Sequence, residues 1–260
     1  MQVWALFVQT IFFFSMTSQE MYPELYTLRF YLKQSLKMLQ RHPVPATVND
    51  MFTQYKKWKA EGYEKIFVHP TPWMAPSAVR FISQICNQNS VIFEFGSGSS
   101  TLYFAERVKQ VISVEHNPEW FNSMQQELTA RAIRNAEIHL KEAELRLEEK
   151  SELLPQEALH YASVFEAYNK FEFSAYAKMI EQWPEDSFDL VIVDGRARPS
   201  CLHHAWARVK KGGYLILDNS DRPHYRQEVL KIEAKAVSGR KFYGPVAQNP
   251  MFQETSFWQK

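Results

Sequence analysis

Short apolar runs alternate with helical segments between Val91 and Asp218, and this alternation constrains the fold more than any other feature of the chain. Buried strands that alternate with helices form βαβ units, in which helices cover both faces of a parallel sheet. The sequence therefore predicts an α/β fold with a doubly wound sheet of about seven strands. The clearest strands are expected at Val91–Phe95, Val111–Glu115, Ala136–Leu140, Leu190–Asp194 and Tyr214–Asp218.

The segments outside this alternation predict two further parts. Leucines recur at spacings of three and four before a proline-containing break at residues 42–46, which predicts a helix, and a second helix is expected at Val48–Glu61. Residues 1–65 are thus interpreted as a helical N-terminal extension that caps the pocket of a domain formed by residues 66–260. The tail alternates about a proline-containing turn, so a terminal hairpin with an antiparallel last strand is expected at the sheet edge. The other helices are expected at Pro76–Ile85, Thr101–Val108, Pro118–Arg134, Ser200–Val209 and residues 173–183.

An apolar segment lies near the start of the chain, at Val3–Met16. It is shorter than the roughly 20 residues that span a bilayer, and no Lys or Arg precedes it, so neither a membrane span nor a signal peptide is expected. We expect a helix that docks on the domain or on a partner subunit, and a shallow membrane contact is the alternative.

Composition argues against several classes of partner. The 260 residues include 30 basic and 29 acidic side chains, for a net charge of +1, so no nucleic-acid partner is expected. Cys86 and Cys201 lack metal-ligand spacing, which is typical of a reducing, cytoplasmic compartment. A homo-oligomer is left open.

The stretch SVIFEFGSGSSTLYFA, from Ser90 to Ala105, is the strongest candidate for a binding turn. A strand that ends near Glu94 turns through Gly96 and Gly98, which lets the backbone approach a ligand closely at the start of a helix. Glu115 ends the next strand, where a carboxylate accepts hydrogen bonds from the hydroxyl groups of a ribose. Together the turn and the acid favour a nucleotide site.

The third glycine of a dinucleotide turn is replaced by Thr101. That glycine lets the helix pack closely and receive a pyrophosphate. S-adenosylmethionine has no phosphate, so a helix start rich in hydroxyl side chains is acceptable for it.

The sequence EFGSGSS resembles motif I of the class I S-adenosylmethionine-dependent methyltransferases, whose pattern is acid-x-Gly-x-Gly-x-Gly, and it departs from the pattern at Ser100. The similarity continues through FDLVIVDGR as motif IV and GGYLILDN at the fifth strand, and it covers residues 68–260. It implies a Rossmann-like fold, methyl transfer and S-adenosylmethionine as cofactor, with adenine near residues 142–144. The cofactor contacts that it implies are Glu94, Gly96, Ser97, Gly98, Ser100, Thr101, Glu115 and Asp194.

A second polar set, Asp194, Asp218 and Asn219, ends the fourth and fifth strands. Oxygen donors of this kind suit Mg²⁺ or another divalent cation. The set resembles the metal site of cation-dependent catechol and caffeoyl-CoA O-methyltransferases, in which the ion lowers the pKa of an acceptor hydroxyl. The chain departs from those enzymes at Ala197, where they carry a Lys, so the alternative is that the acids only shape the pocket.

Several residues are candidates for handling the acceptor. Arg196 and Arg198 stay protonated, so they suit binding of a carboxylate or phosphate, and Trp73 either lines an acceptor pocket or packs in the core. Asp194 is a candidate catalytic residue, and His224, in the loop after the fifth strand, is the preferred base. The other candidate bases are His69, His203 and His204.

The function predicted from these features is methyl transfer from S-adenosylmethionine to a small-molecule acceptor at oxygen, with a divalent cation as a candidate assistant. An NAD-dependent oxidoreductase is one alternative, which Thr101 and the terminal hairpin disfavour. A non-catalytic module that keeps the pocket while its N-terminal segment docks a partner or a membrane is the other. Titration with both cofactors and turnover over a panel of acceptors separate the three hypotheses.

Overall fold

A seven-stranded sheet forms the centre of the computed structural model, which describes residues 27–41, 45–60, 67–146, 153–246 and 249–260. The spatial order is β3-β2-β1-β4-β5-β7-β6, and β7 runs antiparallel to both of its neighbours while the other pairs are parallel. The predicted fold class is therefore confirmed. The strands are β1 (Val91–Phe95), β2 (Gln110–Glu115), β3 (Ala136–Leu140), β4 (Phe188–Val193), β5 (Val209–Asp218), β6 (Ser238–Val246) and β7 (Asn249–Gln259).

Helices join the strands much as the sequence predicts, with three differences. The second predicted helix is interrupted at Gln54, so it forms two shorter helices. The predicted helix at residues 173–183 is α-helical only at Ser174–Lys178, and Glu144–Leu145 pairs with Phe171–Glu172 in a two-stranded ribbon that was not predicted. The helix after β5 was not predicted. The α-helices of the described residues are α1 (Leu28–Arg41), α2 (Pro45–Thr53), α3 (Tyr55–Ala60), α4 (Pro76–Ile85), α5 (Ser99–Ala105), α6 (Pro118–Ala130), α7 (Ser174–Lys178), α8 (Arg198–Ala205) and α9 (Arg226–Glu233).

The central strands are buried on both faces. In β1, Phe93 and Phe95 pack into the core on one side of the sheet, and Ile92 packs into the core on the other. Successive side chains of a strand point to opposite faces, so a nearly continuous apolar run is what a doubly covered strand requires. This burial leaves the strand ends as the part of the sheet that can meet a ligand.

The N-terminal helices pack against the terminal hairpin. Tyr31 and Met38 of α1 and Trp58 of α3 form a small core with Tyr243 and Phe252 of the hairpin. The apolar face of this part of the extension is therefore buried on β6 and β7. The described helices α1, α2 and α3 do not line the cavity of about 410 Å³ at the carboxyl ends of β1, β2 and β4, and the role of the extension as a cap stays a prediction.

The apolar segment at residues 3–16 lies outside the described residues, and so does its predicted docking. None of the helices that the structure describes is long and apolar enough to cross a membrane.

Candidate functional site

A cavity of about 410 Å³ opens beside the carboxyl ends of β1, β2 and β4. The outer crevice at the carboxyl edge, where the chain order of the strands reverses, is the usual ligand position in open α/β sheets. The turn after β1, the loop after β2 and the loop after β4 each contribute walls. The lining includes these residues predicted from the sequence: Trp73, Gly96, Ser97, Gly98, Ser100, Glu115, Asp194, Arg196 and Arg198.

The glycine turn takes its shape from two different requirements. Gly96 has a φ of 98°, which disfavours any side chain, and a Cβ there would lie 3.1 Å from the Cα of Gly195. At Gly98 the backbone is extended, and a Cβ would meet nothing within 4 Å. Gly96 therefore packs two loops together, whereas Gly98 leaves open space at the start of α5.

Glu94 and Thr101 support the turn from behind and do not line the cavity. The Thr101 hydroxyl donates to Glu94 Oε2 at 2.7 Å and accepts from the Gly98 amide at 3.0 Å. The Ser113 hydroxyl also donates to Glu94 Oε2, at 2.9 Å, and burial raises the pKa of Glu94 to about 7. Glu94 and Thr101 therefore hold Gly98 in place, and their predicted contact with a cofactor stays a prediction.

Glu115 faces the turn from the end of β2. Its Oε1 accepts the amides of His116 at 2.8 Å and Asn117 at 2.9 Å, and its Oε2 accepts the Ser97 amide at 3.2 Å and hydroxyl at 3.1 Å. Burial alone would raise the pKa of this carboxyl, but the hydrogen bonds and the charge of His116 outweigh burial and hold the pKa below its usual value. Glu115 is therefore an ionised acceptor in a fixed position.

Aromatic side chains that the sequence analysis missed complete the cavity. Trp120 donates from Nε1 to the Ser97 carbonyl at 2.8 Å, and Asn117 caps α6 by accepting the Trp120 amide at 2.9 Å. Phe165 and Tyr168 come from the long segment before β4. The Asn-Pro pair after Glu115 is a recognisable helix start and could have indicated Trp120. No local pattern marks Phe165 or Tyr168.

A second cavity, of about 40 Å³, adjoins the first and shares Phe165, Gly195, Arg196 and Arg198 with it. The loop after β5 adds Arg222, His224 and Tyr225 to its lining. The Nε2 atom of His224 is buried and has no hydrogen-bond partner in the structure. Burial, together with the positive charges of Arg222 and Arg198, holds the pKa of His224 below 6.5.

The other candidate bases lie elsewhere. The ring of His204 is held between Glu181 Oε1, 2.9 Å from Nδ1, and the Tyr161 hydroxyl, 3.2 Å from Nε2. His69 and His203 are exposed. None of these three residues lines either cavity, and the predicted adenine region at residues 142–144 does not line them either.

Arg198 is a buried cation between β4 and β5. It pairs with Asp194 Oδ1 at 2.9 Å and donates to the carbonyl oxygens of Gly195 at 3.0 Å, Asp194 at 3.1 Å and Asp218 at 2.5 Å. Only 8% of the residue is exposed. The side chain therefore holds the two strand ends together and has little capacity left for an acceptor.

The three predicted metal ligands do not fit a divalent cation. Asp218 Oδ1 accepts from the Thr255 hydroxyl and Oδ2 accepts from the Asn219 amide, both at 2.7 Å. Burial, followed by the charge of Asp194, raises the pKa of Asp218 to about 7. Within the described residues, no group of three or more His, Cys, Asp and Glu is arranged to hold a metal ion.

Gly195 has no room for a side chain, which gives a prediction for Gly195→Ala. A Cβ there would lie 1.9 Å from the hydroxyl of the fully buried Tyr176 and 3.0 Å from the Phe95 carbonyl oxygen. We expect the free energy of unfolding to fall by about 1–3 kcal/mol, measured by chemical denaturation. Adding Tyr176→Phe removes the closest atom and should recover part of the loss. Equal stability of Gly195→Ala and the wild type would contradict this packing.

The central part of the chain is similar to a known family. Residues 93–220, which include the turn after β1, Glu115 and the loops after β4 and β5, match the family model described as a methyltransferase domain. This match and the site geometry together support an S-adenosylmethionine-dependent methyltransferase. Among curated proteins, no sequence matches.

Solved structures with a similar fold include enzymes with different substrates. A candidate methyltransferase from Streptococcus mutans in complex with SAH is 13% identical, with a TM-score of 0.44 over 70% of this chain and 94% of that one. A rRNA methylase from Streptococcus thermophilus is 14% identical, with a TM-score of 0.44 over 69% and 92% of the two chains. A tRNA methyltransferase from Aquifex aeolicus is 14% identical, with a TM-score of 0.47 over 76% and 75%.

These similarities correct the expectation that nucleic acid is excluded as a partner. The solved structures that are similar to this chain include an rRNA methylase and a tRNA methyltransferase. The near-neutral net charge of the whole chain does not decide the matter, because a local basic surface can bind nucleic acid irrespective of total charge.

Proposed function

We propose that this chain transfers a methyl group from S-adenosylmethionine to an oxygen atom of a small-molecule acceptor. The observation that carries the proposal is the ionised Glu115 carboxylate facing the glycine turn, with Gly98 open beside it. Both lie within the segment that matches the methyltransferase domain.

The cavity has the donor set and the space that this cofactor needs. Glu115 would accept the ribose hydroxyls, with a ribose hydroxyl taking the place of the Ser97 side chain on Oε2. The open space at Gly98 lets the methionine part approach the backbone. Trp120, Phe165 and Tyr168 provide apolar walls.

The chain's own residues would then align the acceptor and remove its proton. When bound, S-adenosylmethionine supplies an electrophilic methyl group on a positively charged sulfonium. His224 would accept the proton of the acceptor hydroxyl at Nε2, which is buried, has no hydrogen-bond partner and belongs to a ring with a lowered pKa. Asp194, held by Arg198 at the edge of the main cavity, would orient the acceptor.

No step of this proposal uses a divalent cation. Asp218 accepts one hydrogen bond from the Asn219 side-chain amide and one from the Thr255 hydroxyl. Arg198 places a fixed positive charge beside Asp194. The Arg198 guanidinium thus supplies the positive charge beside Asp194 that the sequence analysis assigned to a metal.

The general test is turnover of S-adenosylmethionine by the purified chain over a panel of phenols, alcohols and hydroxy acids, with S-adenosylhomocysteine quantified by mass spectrometry. Calorimetric titration with S-adenosylmethionine and with NAD runs in parallel. Tight NAD binding without S-adenosylmethionine binding would favour the oxidoreductase. Cofactor binding without turnover on any acceptor would favour the non-catalytic module.

His224→Gln is expected to lower kcat by about 100-fold or more, because it removes the proton acceptor, while the affinity for S-adenosylhomocysteine stays unchanged. In the wild type, kcat should be constant from pH 8 to about 6.5 and fall only at lower pH. The direction of this pH dependence follows from the lowered pKa of His224. The imidazole acts as a base while it is neutral, and it becomes protonated when the pH falls through that pKa. Both quantities are measured with the best acceptor of the panel.

The matched control for this variant is His203→Gln, which changes an exposed neighbour of the partly buried His204 on α8. Its kcat should equal that of the wild type. A His224→Gln enzyme that retains kcat within twofold would assign the proton acceptor to another group.

A further inference from the structure

The small cavity beside the main one has the size of a single polar group. Its volume is about 40 Å³, which is room for roughly three water molecules at about 10–15 Å³ each. A space of this size suits a small polar group such as a carboxylate or a phosphate. The two cavities share Arg196 and Phe165, so one ligand can extend through both.

Positive charge dominates the wall of the small cavity. Arg196, Arg198 and Arg222 line it together with His224, and no Asp or Glu is among the described residues of its lining. Arg198 is neutralised by its pair with Asp194. Arg196 and Arg222 form no ion pair with any carboxylate in the part of the chain that the structure describes.

The two guanidinium groups are also held weakly by their other neighbours. Arg196 lies over the Phe165 ring, 4.3 Å from its centroid, and its Nε is 3.5 Å from His116 Nε2. Arg222 reaches the Tyr225 hydroxyl at 3.4 Å. Both contacts between polar atoms are longer than a strong hydrogen bond, so most donors of the two side chains are available to a ligand or to water.

We propose that an anionic group of the acceptor, a carboxylate or a phosphate, binds in the small cavity between Arg196 and Arg222. The assignment of this ligand as the acceptor rests on the proposed function, whereas the anion site rests on the cavity and its charges. Arg222 takes the place that the sequence analysis gave to Arg198. Trp73 and Tyr168 face the organic body of the ligand in the main cavity.

The position of His224 in the same wall narrows the acceptor class further. A hydroxyl close to the anionic group would lie beside this imidazole. The acceptor is therefore a hydroxy acid or a hydroxylated phosphate ester in which the two groups are near each other.

The test is direct binding to the full chain by calorimetry, without cofactor and at saturating S-adenosylhomocysteine. The probes are benzoate, phenyl phosphate and the neutral benzamide. We expect one of the two anions to bind at least about 10-fold more tightly than benzamide, and Arg196→Gln and Arg222→Gln each to remove most of that preference. Whether benzoate or phenyl phosphate binds more tightly identifies the anion as carboxylate or phosphate.

Arg134→Gln is the control, because it makes the same charge change at an exposed position. Equal affinity for anions and benzamide, or anion binding that survives both arginine variants, overturns the proposal. Arginine variants that weaken S-adenosylhomocysteine and not the probes also overturn it, since the arginines then serve the cofactor carboxylate. Failure of the wild type to bind S-adenosylhomocysteine contradicts the proposed function instead. The anion site is then still tested by binding of the probes without cofactor.

Discussion

Glu115→Gln is expected to weaken S-adenosylhomocysteine binding by about 100-fold, because the amide cannot replace the carboxylate in this position. Both oxygens of Glu115 accept backbone amides, Oε1 from His116 and Asn117 and Oε2 from Ser97. In either orientation, the NH₂ group of a glutamine would face at least one N–H donor. The variant therefore disturbs the loop after β2 and the glycine turn, as well as losing the charged acceptor for a ribose.

The measurement is calorimetric titration of S-adenosylhomocysteine into the wild type and the variant. Glu119→Gln is the matched control, since Glu119 is exposed in the first turn of α6 and its charge change is the same. We expect wild-type affinity for the control. If Glu115→Gln binds S-adenosylhomocysteine within threefold of the wild type, Glu115 does not hold the ribose and the proposed cofactor site is misplaced.

Arg198→Met should lower the free energy of unfolding by about 3 kcal/mol, because it removes a buried guanidinium and leaves the Asp194 carboxylate, whose side chain is 33% exposed, without its partner. It also removes the donor to the carbonyl oxygens of Gly195 and Asp218, which ties the ends of β4 and β5 together. Chemical denaturation measures the loss. Arg134→Met, at an exposed position, should lie within about 0.5 kcal/mol of the wild type.

A double-mutant cycle separates the ion pair from simple loss of packing. Asp194→Asn added to Arg198→Met should recover part of the stability, because the uncompensated carboxylate is gone. Additive effects of the two substitutions on the free energy of unfolding would refute the coupling.

Wild-type turnover should be unchanged by EDTA, since Arg198 already supplies the positive charge beside Asp194. Loss of turnover in EDTA with recovery in Mg²⁺ would instead support a metal site.

The order of strands and helices could be predicted closely from the chain. The apolar runs at Val91–Phe95 and Ala136–Leu140 coincide with β1 and β3, and Pro76–Ile85 coincides with α4. These elements could be predicted because the apolar residues that each of them buries recur in the local sequence with the period of a strand or a helix. The break at Gln54 has no corresponding periodic signal in the local sequence.

The candidate site was readable only where it lies in continuous stretches of chain. Gly96, Gly98 and Glu115 line the cavity as the spacing of turn and strand end indicates. Thr101, first noticed as the residue that replaces a glycine, proves to fix the turn by joining the Gly98 amide to Glu94. The local sequence pointed to the turn, and the burial of Glu94 explains how the turn is held.

The sheet, the position of the glycine turn and the acid that faces it could be predicted from the sequence, because each follows from periodicity or from spacing along adjacent elements. The contacts between the strand ends depend on how distant segments of the chain fold together. Arg198 and Asp218 are 20 positions apart, and their contact depends on the parallel pairing of β4 with β5. The same folding brings Phe165, Arg196 and Arg222 to one small cavity from three separate segments. Whether one charged side chain is compensated by another depends on their distance in space. For residues on loops far apart in the chain, sequence spacing does not determine that distance.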